Sequence, residues 1–465
     1  MLVETNKPEF SAQTSSGTTG YIIRISLTAA LAGFIFGFDT VVISGANLPI
    51  KELWQTSPLF HGFFIMSMAL WGTVIGAIFG GVPTEKYGRK KVLFWIGILF
   101  TVSALGTALA PEPYSFSLLR FIGGVGIGVS SVAAPTYVSE ISTPATRGRL
   151  VALYQFNIVF GILIAFLSNY FLEGVGGEND WRYMLGIMTI PSVLYSLLVL
   201  GVPESPRWLL ARKGNVQAAE NVLKKLGVQD VASEITAIRE SNRHEKRAGE
   251  GSGLFSKKYS RVMWLAFMVA FFNQVSGINF ILYYAPEILE RAGLAAKESL
   301  FNSIAIGGTN LVFTFVGLYL IDRLGRRTLL LIGSLGYIVS LAAVAWCFYS
   351  GAGPGLLLSF LLLFIAAHAI GQGAVIWVFI AEIFPNNVRA LGQSFGASVH
   401  WVFAALITLV TPVFLDAQSG IFKDNPWPIF AFFAAMMALQ LVWVLTKMPE
   451  TKGISLEDLE RKLVK

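Results

Sequence analysis

Two ionisable residues stand inside long apolar runs, and as a pair they could bind and release a proton. Asp39 lies in GFDTVVISG, and Arg120 opens the stretch RFIGGVGIGVSSVAAPTYVSEISTPATRGR. A charge at membrane depth costs roughly 2.5–3.5 kcal/mol on insertion scales, so it marks a functional position and needs a partner. Two roles fit. A static pair would hold helices together. A titrating carboxylate would take a proton from one side, release the arginine and permit a switch. An asparagine could not exchange a proton at ordinary pH.

A second constellation is uncharged. Asn273, Asn310 and His400 each fall 11 or 12 residues from a charge at the membrane edge, namely Arg261, Asp322 and Arg389. At 1.5 Å per residue that is about 16–18 Å, near the middle of a core roughly 30 Å thick. Gln274 and Asn279 add amides, Gln155 lies a little further in, and Trp377 and Trp401 offer aromatic faces. Amides for hydroxyls and an indole face for C–H groups are what a sugar requires. Any one amide could instead bond a neighbouring helix. His400 and His368 are read as pocket or packing residues rather than titrating groups.

The elements that carry these residues are membrane helices. The chain of 465 residues is 54% hydrophobic and 14% charged, too apolar for a soluble protein. Apolar runs of spanning length recur near 21–46, 60–83, 92–111, 114–138, 150–172 and 183–202. After a polar stretch at 203–257 they resume near 262–288, 299–321, 328–350, 355–381, 391–415 and 427–447. The expectation is an all-α integral membrane protein of about twelve transmembrane helices in two six-helix halves. Residues 1–20 form a cytoplasmic tail, 21–202 the first half, 203–257 a helical linker domain, 258–447 the second half and 448–465 a second tail. Counted along helices from Arg24 and Tyr114, Asp39 and Arg120 both lie roughly 8–9 Å below the outer surface, where they can meet.

The net charge of +7 is read as topology rather than nucleic-acid binding. Lys86, Arg89, Lys90, Lys91, Arg147, Arg149, Arg323, Arg326, Arg327 and Arg389 all fall in loops on one side. That places both termini in the cytoplasm of a cell carrying the chain in its inner membrane. Acids recur on the same side: Glu85, Glu140, Glu204, Asp322, Glu382 and Glu450. They are either mere companions of topology charge or partners of Arg89, Arg147, Arg326 and Arg389 in a salt-bridge latch between the halves. Glu85 and Asp322, Glu140 and Glu382, Glu204 and Glu450, and Asp39 and Asn279 are each separated by about 240 residues, the mark of an internal repeat. The single cysteine, Cys347, has no internal partner for a disulfide. No nucleophile–base or metal-ligand spacing appears, so no enzyme and no metal or other cofactor is expected.

The motifs GFDTVVISG, PESPRWL, QVSGINFILYYAPEI, DRLGRR, AEIFPNNVRA and PETKG, with the Arg120–Arg149 stretch, resemble the sugar porter family of the major facilitator superfamily over residues 21–460. The resemblance implies alternating access and a monosaccharide or polyol substrate. It also implies sugar contacts at Gln155, Gln274, Asn279, Asn310, Trp377 and Trp401, and an outer gate at Tyr283 and Tyr284, with Gly277 permitting a broken seventh helix. Proton-coupled members carry an Asp at the position of Asp39, and facilitative carriers an Asn. Four positions depart from the pattern: Asn273 for Gln, Ile162 for a second Gln, His400 for Asn or Gln, and Ala374 for the proline of a tenth-helix hinge. The expected function is a proton-coupled importer, with hexose as substrate, the bilayer as surroundings and a monomer as working unit. A facilitative uniporter and a sugar sensor are the alternatives; the short tail at 448–465 argues against the sensor.

Overall fold

The computed structural model describes residues 16–142, 144–248, 253–385, 388–454 and 456–464. Lipid offers no partner for a backbone N–H or C=O, so an apolar run must satisfy its own backbone, and each does so as a helix. Among the described residues, eleven helices are long and apolar enough to cross a membrane. A twelfth span is the pair Pro58–Met66 and Met68–Phe79, bent by 43°. The first half comprises Ser16–Trp54, this bent second span, Arg89–Leu109, Pro113–Ile141, Pro144–Leu172 and a sixth span from Asp180–Gly186 to Thr189–Leu200. Helices Pro206–Lys213, Val216–Lys225 and Val231–Ala248 follow. In the second half the seventh span is Ser260–Gln274 with Ile278–Tyr283 and Ala285–Arg291. The others are Ala296–Leu324, Arg326–Ser350, Pro354–Ile370 with Gln372–Ile383, Arg389–Leu415 and Trp427–Thr446, before a final helix, Leu456–Leu463.

Hydrophobic burial cannot hold helices together in lipid, so close approach does. A Cβ on Gly124 of the fourth span would overlap the Ala69 carbonyl of the second, and one on Gly37 of the first would overlap that of Ile158 on the fifth. Leu105, Leu118, Val312, Leu335 and Val339 are exposed, as the wall of a lipid-facing bundle requires.

Two spans break where the site lies. Gly277 has φ +87°, and a Cβ there would meet the Phe433 ring, so the seventh span stops at Gln274 and restarts at Ile278. The tenth span breaks at Gly371 although Ala374 replaces the expected proline. Gly371 there packs directly on Gly333 of the ninth span. The break therefore rests on a glycine contact and does not require proline.

Candidate functional site

Each half ends on the same face in the same construction. Gly88 (φ +99°) and Gly325 (φ +93°) turn the chain into the third and ninth spans. Glu204 accepts from the N–H groups of Arg89 and Lys90 at 2.9 and 3.1 Å. Glu450 accepts from those of Arg326 and Arg327 at 2.9 and 3.0 Å. These carboxylates neutralise the positive ends of two helix dipoles, and they occupy the space where a Cβ on either glycine would stand. The Arg89 guanidinium grips Glu140 with two bonds of 2.8 and 2.9 Å and Glu85 with one of 2.6 Å. Arg326 grips Glu382 at 2.7 and 3.1 Å and Asp322 at 3.2 Å. Bidentate forks of this kind are the strong form of the ion pair.

These partners differ from the expected latch in one respect: among the described residues none of these bonds joins the two halves, each staying within one half and the segment that follows it. Arg89 and Glu140 neighbour each other because the third and fourth spans are adjacent, and the ninth and tenth repeat the arrangement. Arg389 donates to the Phe384 carbonyl at 3.2 Å. Arg147 lies in the fifth span, and its side chain is outside the described residues. The Glu85 carbonyl and carboxylate accept from Trp208 at 2.7 Å and Arg212 at 3.1 Å, so a linker helix is tied under the first half.

Deep in the first half, Arg120 Nη1 donates to Asp39 Oδ1 at 2.6 Å and Nη2 to the Asp39 carbonyl at 3.3 Å. Both side chains are 1% exposed. Asp39 Oδ2 and Arg120 Nε have no hydrogen-bond partner among the described residues. Tyr283 is fully buried on the restarted seventh span, and that segment packs against the first span that carries Asp39. Tyr284 donates to the Thr408 carbonyl at 2.9 Å.

The uncharged constellation gathers around Gln274. Its amide nitrogen donates to Asn273 Oδ1 at 3.0 Å and stands 3.1 Å from each ring nitrogen of His400, while its oxygen accepts from Asn279 at 2.7 Å. The break at Gly277 brings Asn279 back onto Gln274, since an unbroken helix would put five residues on different faces. The His400 ring lies 4.9 Å from that of Trp377 and 4.7 Å from that of Trp401, and Phe36 of the first half approaches Trp401 at 5.5 Å. Trp377 is 38% exposed, so this indole is the open wall of the cluster. Asn310 is buried on the eighth span and Gln155 is half-buried on the fifth. Among the described residues neither bonds to the Gln274 cluster.

His368 is half-buried on the tenth span, and its Nδ1 lies 2.6 Å from the Tyr337 hydroxyl. Its Nε2 faces Gly373, where a Cβ would come within 3.4 Å.

A family model described as "Sugar (and other) transporter" matches residues 25–463. The arabinose-proton symporter of Bacillus subtilis (strain 168) is 33% identical, with 97% of each chain covered. The D-xylose-proton symporter of Escherichia coli (strain K12) is 32% identical over 95% of this chain and 96% of its own. The solved inward-open conformation of the xylose transporter XylE from E. coli superposes with a TM-score of 0.83. It shares 31% identity over 95% of this chain and all of that one. With its twelve spans and repeated half, the chain belongs to the sugar transporter family of the major facilitator superfamily.

Proposed function

We propose that this chain imports a monosaccharide, hexose foremost, together with a proton by alternating access. The observation that carries the proposal is the closed Asp39–Arg120 pair, bonded at 2.6 Å with both side chains 1% exposed, on a first span that packs against the restarted seventh span of Tyr283. A proton taken by Asp39 would release Arg120 from the first span. Tyr283, with Tyr284, would carry that change to the outer gate and so to Asn279, four residues before it. Gln274, Asn279 and His400 already bond one another, so a sugar enters by exchanging those bonds for its own hydroxyls, with Asn273, Asn310 and Gln155 around it and Trp377 and Trp401 as faces.

The face with Lys86, Lys90, Lys91, Arg323 and Arg327 is read as cytoplasmic, with both termini on it and the far face outside a cell membrane. On that reading the exposed Trp377 wall opens inward, in keeping with the inward-open relative. The halves 21–202 and 258–447 rock about the site. The clusters of Glu85, Arg89, Glu140 and Glu204 and of Asp322, Arg326, Glu382 and Glu450 keep the inner end of each half rigid, with Arg147 and Arg389 beside them. The linker 203–257 is tied to the first. No second copy of the chain is needed. The test is counterflow into proteoliposomes preloaded with glucose, fructose, xylose, arabinose or galactose. Uptake of labelled sugar with at least one of these is expected; exchange of none would overturn the assignment.

A further inference from the structure

A second buried polar system joins the two halves on the outer face, away from the sugar cluster and the Asp39 pair. Asn47 of the first span donates its amide to Glu287 Oε2, on the outer segment of the seventh, at 2.7 Å. His61 Nε2 lies 2.8 Å from Asn47 Oδ1, and Thr56 Oγ1 lies 2.8 Å from His61 Nδ1. Asn47, His61 and Glu287 are all buried. The partners fix the direction of every bond. Asn47 gives its N–H to a carboxylate, so its oxygen faces His61, whose Nε2 must carry the hydrogen; Nδ1 then accepts from Thr56. Thr56, His61 and Asn47 form a relay of donors, all pointing at the one carboxylate of the other half, and such chains polarise each other in a dry site.

Its location is set by the repeat. Asn47 and Glu287 are 240 residues apart, the same separation as Asp39 and Asn279, so they are equivalent positions of the two halves. Halves repeated in parallel are related by an axis along the membrane normal, and two equivalent residues in contact must lie close to that axis. The axis is also the route of the substrate. Two features brace the contact. The π turn His61–Met66 reaches the eleventh span because Gly62 leaves no room for a Cβ against the Leu409 carbonyl, and Lys51 pairs with Asp416 across the same face.

We propose that Glu287 is the closing group of an outer clasp. Its carboxylate, received by the Thr56–His61–Asn47 relay, holds the outer passage shut, and the clasp parts whenever the site faces outward. Glu287 is thus a positioning residue for the transport cycle, touching neither sugar nor the transferred proton. The inference rests on the alternating-access reading above.

The experiment places nitroxide labels at L53C and I421C, both exposed at the outer ends of opposite halves, in a C347S background. Asn47→Ala is expected to raise the ratio of long to short distances about tenfold to a hundredfold, the range of a hydrogen bond to a charged acceptor. Glu287→Gln, which keeps shape and one acceptor, shifts the ratio less, and Thr56→Val shifts it the same way by a smaller factor. The double variant Asn47→Ala/Glu287→Ala should shift no further than Asn47→Ala, because one contact is lost in both. Unmoved distances or additive shifts in variants that still exchange sugar would overturn the clasp. If Asn47→Ala does not fold, Thr56→Val and Glu287→Gln decide alone. Failure of the unmutated protein to exchange any sugar would instead overturn the functional reading beneath it.

Discussion

Removing Arg120 tests whether the Asp39 pair is an ion pair out of contact with water. Arg120→Gln deletes the guanidinium that bonds Asp39 Oδ1 at 2.6 Å and the Asp39 carbonyl at 3.3 Å, in a place where both side chains are 1% exposed. Asp39 Oδ2 already has no partner among the described residues, so the variant leaves a carboxylate with little to engage it. Breaking a buried pair from one side costs about 3–5 kcal/mol, whereas replacing both partners by neutral groups of similar volume is near neutral. The single variant should therefore unfold at markedly lower temperature than the parent in detergent, followed by tryptophan fluorescence. Asp39→Asn/Arg120→Gln should regain most of the loss, with a coupling of about 2–3 kcal/mol in the double-mutant cycle. A double variant no more stable than Arg120→Gln would refute the reasoning, since the two groups would then carry no buried charge between them.

Other positions give equally definite expectations. Gln274→Ala removes the amide that links His400 to Asn279, and sugar affinity by equilibrium binding should fall about tenfold, the value of one to two neutral hydrogen bonds. Gly124→Val forces a side chain into the Ala69 carbonyl and should abolish folded, monodisperse protein on size exclusion. Gly81→Ala, with open space around it, should be silent. Partial burial raises the Glu450 pKa, but the N–H groups of Lys452, Arg326, Arg327 and Thr451 outweigh it and hold the carboxyl below its usual value. A depressed carboxylate stabilises above its unfolded pKa of about 4.3 and loses that contribution as pH falls through the folded value. Glu450→Gln should accordingly lower the unfolding temperature at pH 7, by a gap that narrows as pH falls below the unfolded pKa and closes once it has passed through the folded one.

Much of this was legible in the sequence because lipid penalises misplaced polarity. Asp39 and Arg120 stood out as charges in apolar runs, and helix rise alone put them at one depth. Asn273, Gln274 and Asn279 stood out as amides for the same reason. The pairing on the basic face was legible only in part. The spacing of Glu85, Glu140 and Arg89 reveals that acids and bases share a face, but whether a bond stays within a half depends on which spans are neighbours. The outer clasp was not legible. Asn47, His61 and Glu287 lie near the water interface, where polar residues are ordinary, and their contact spans 240 residues.

The most direct test of the coupling is proton movement driven by sugar. Proteoliposomes holding the unmutated protein or Asp39→Asn are suspended in weak buffer, and external pH is followed as the transported sugar is added. The unmutated protein should make the outside alkaline in proportion to sugar taken up, and Asp39→Asn should exchange sugar in counterflow with no pH change. Sugar uptake by the unmutated protein without alkalinisation would make the chain a uniporter, with Asp39 and Arg120 as a structural pair. Alkalinisation that survives in Asp39→Asn would move the proton site elsewhere.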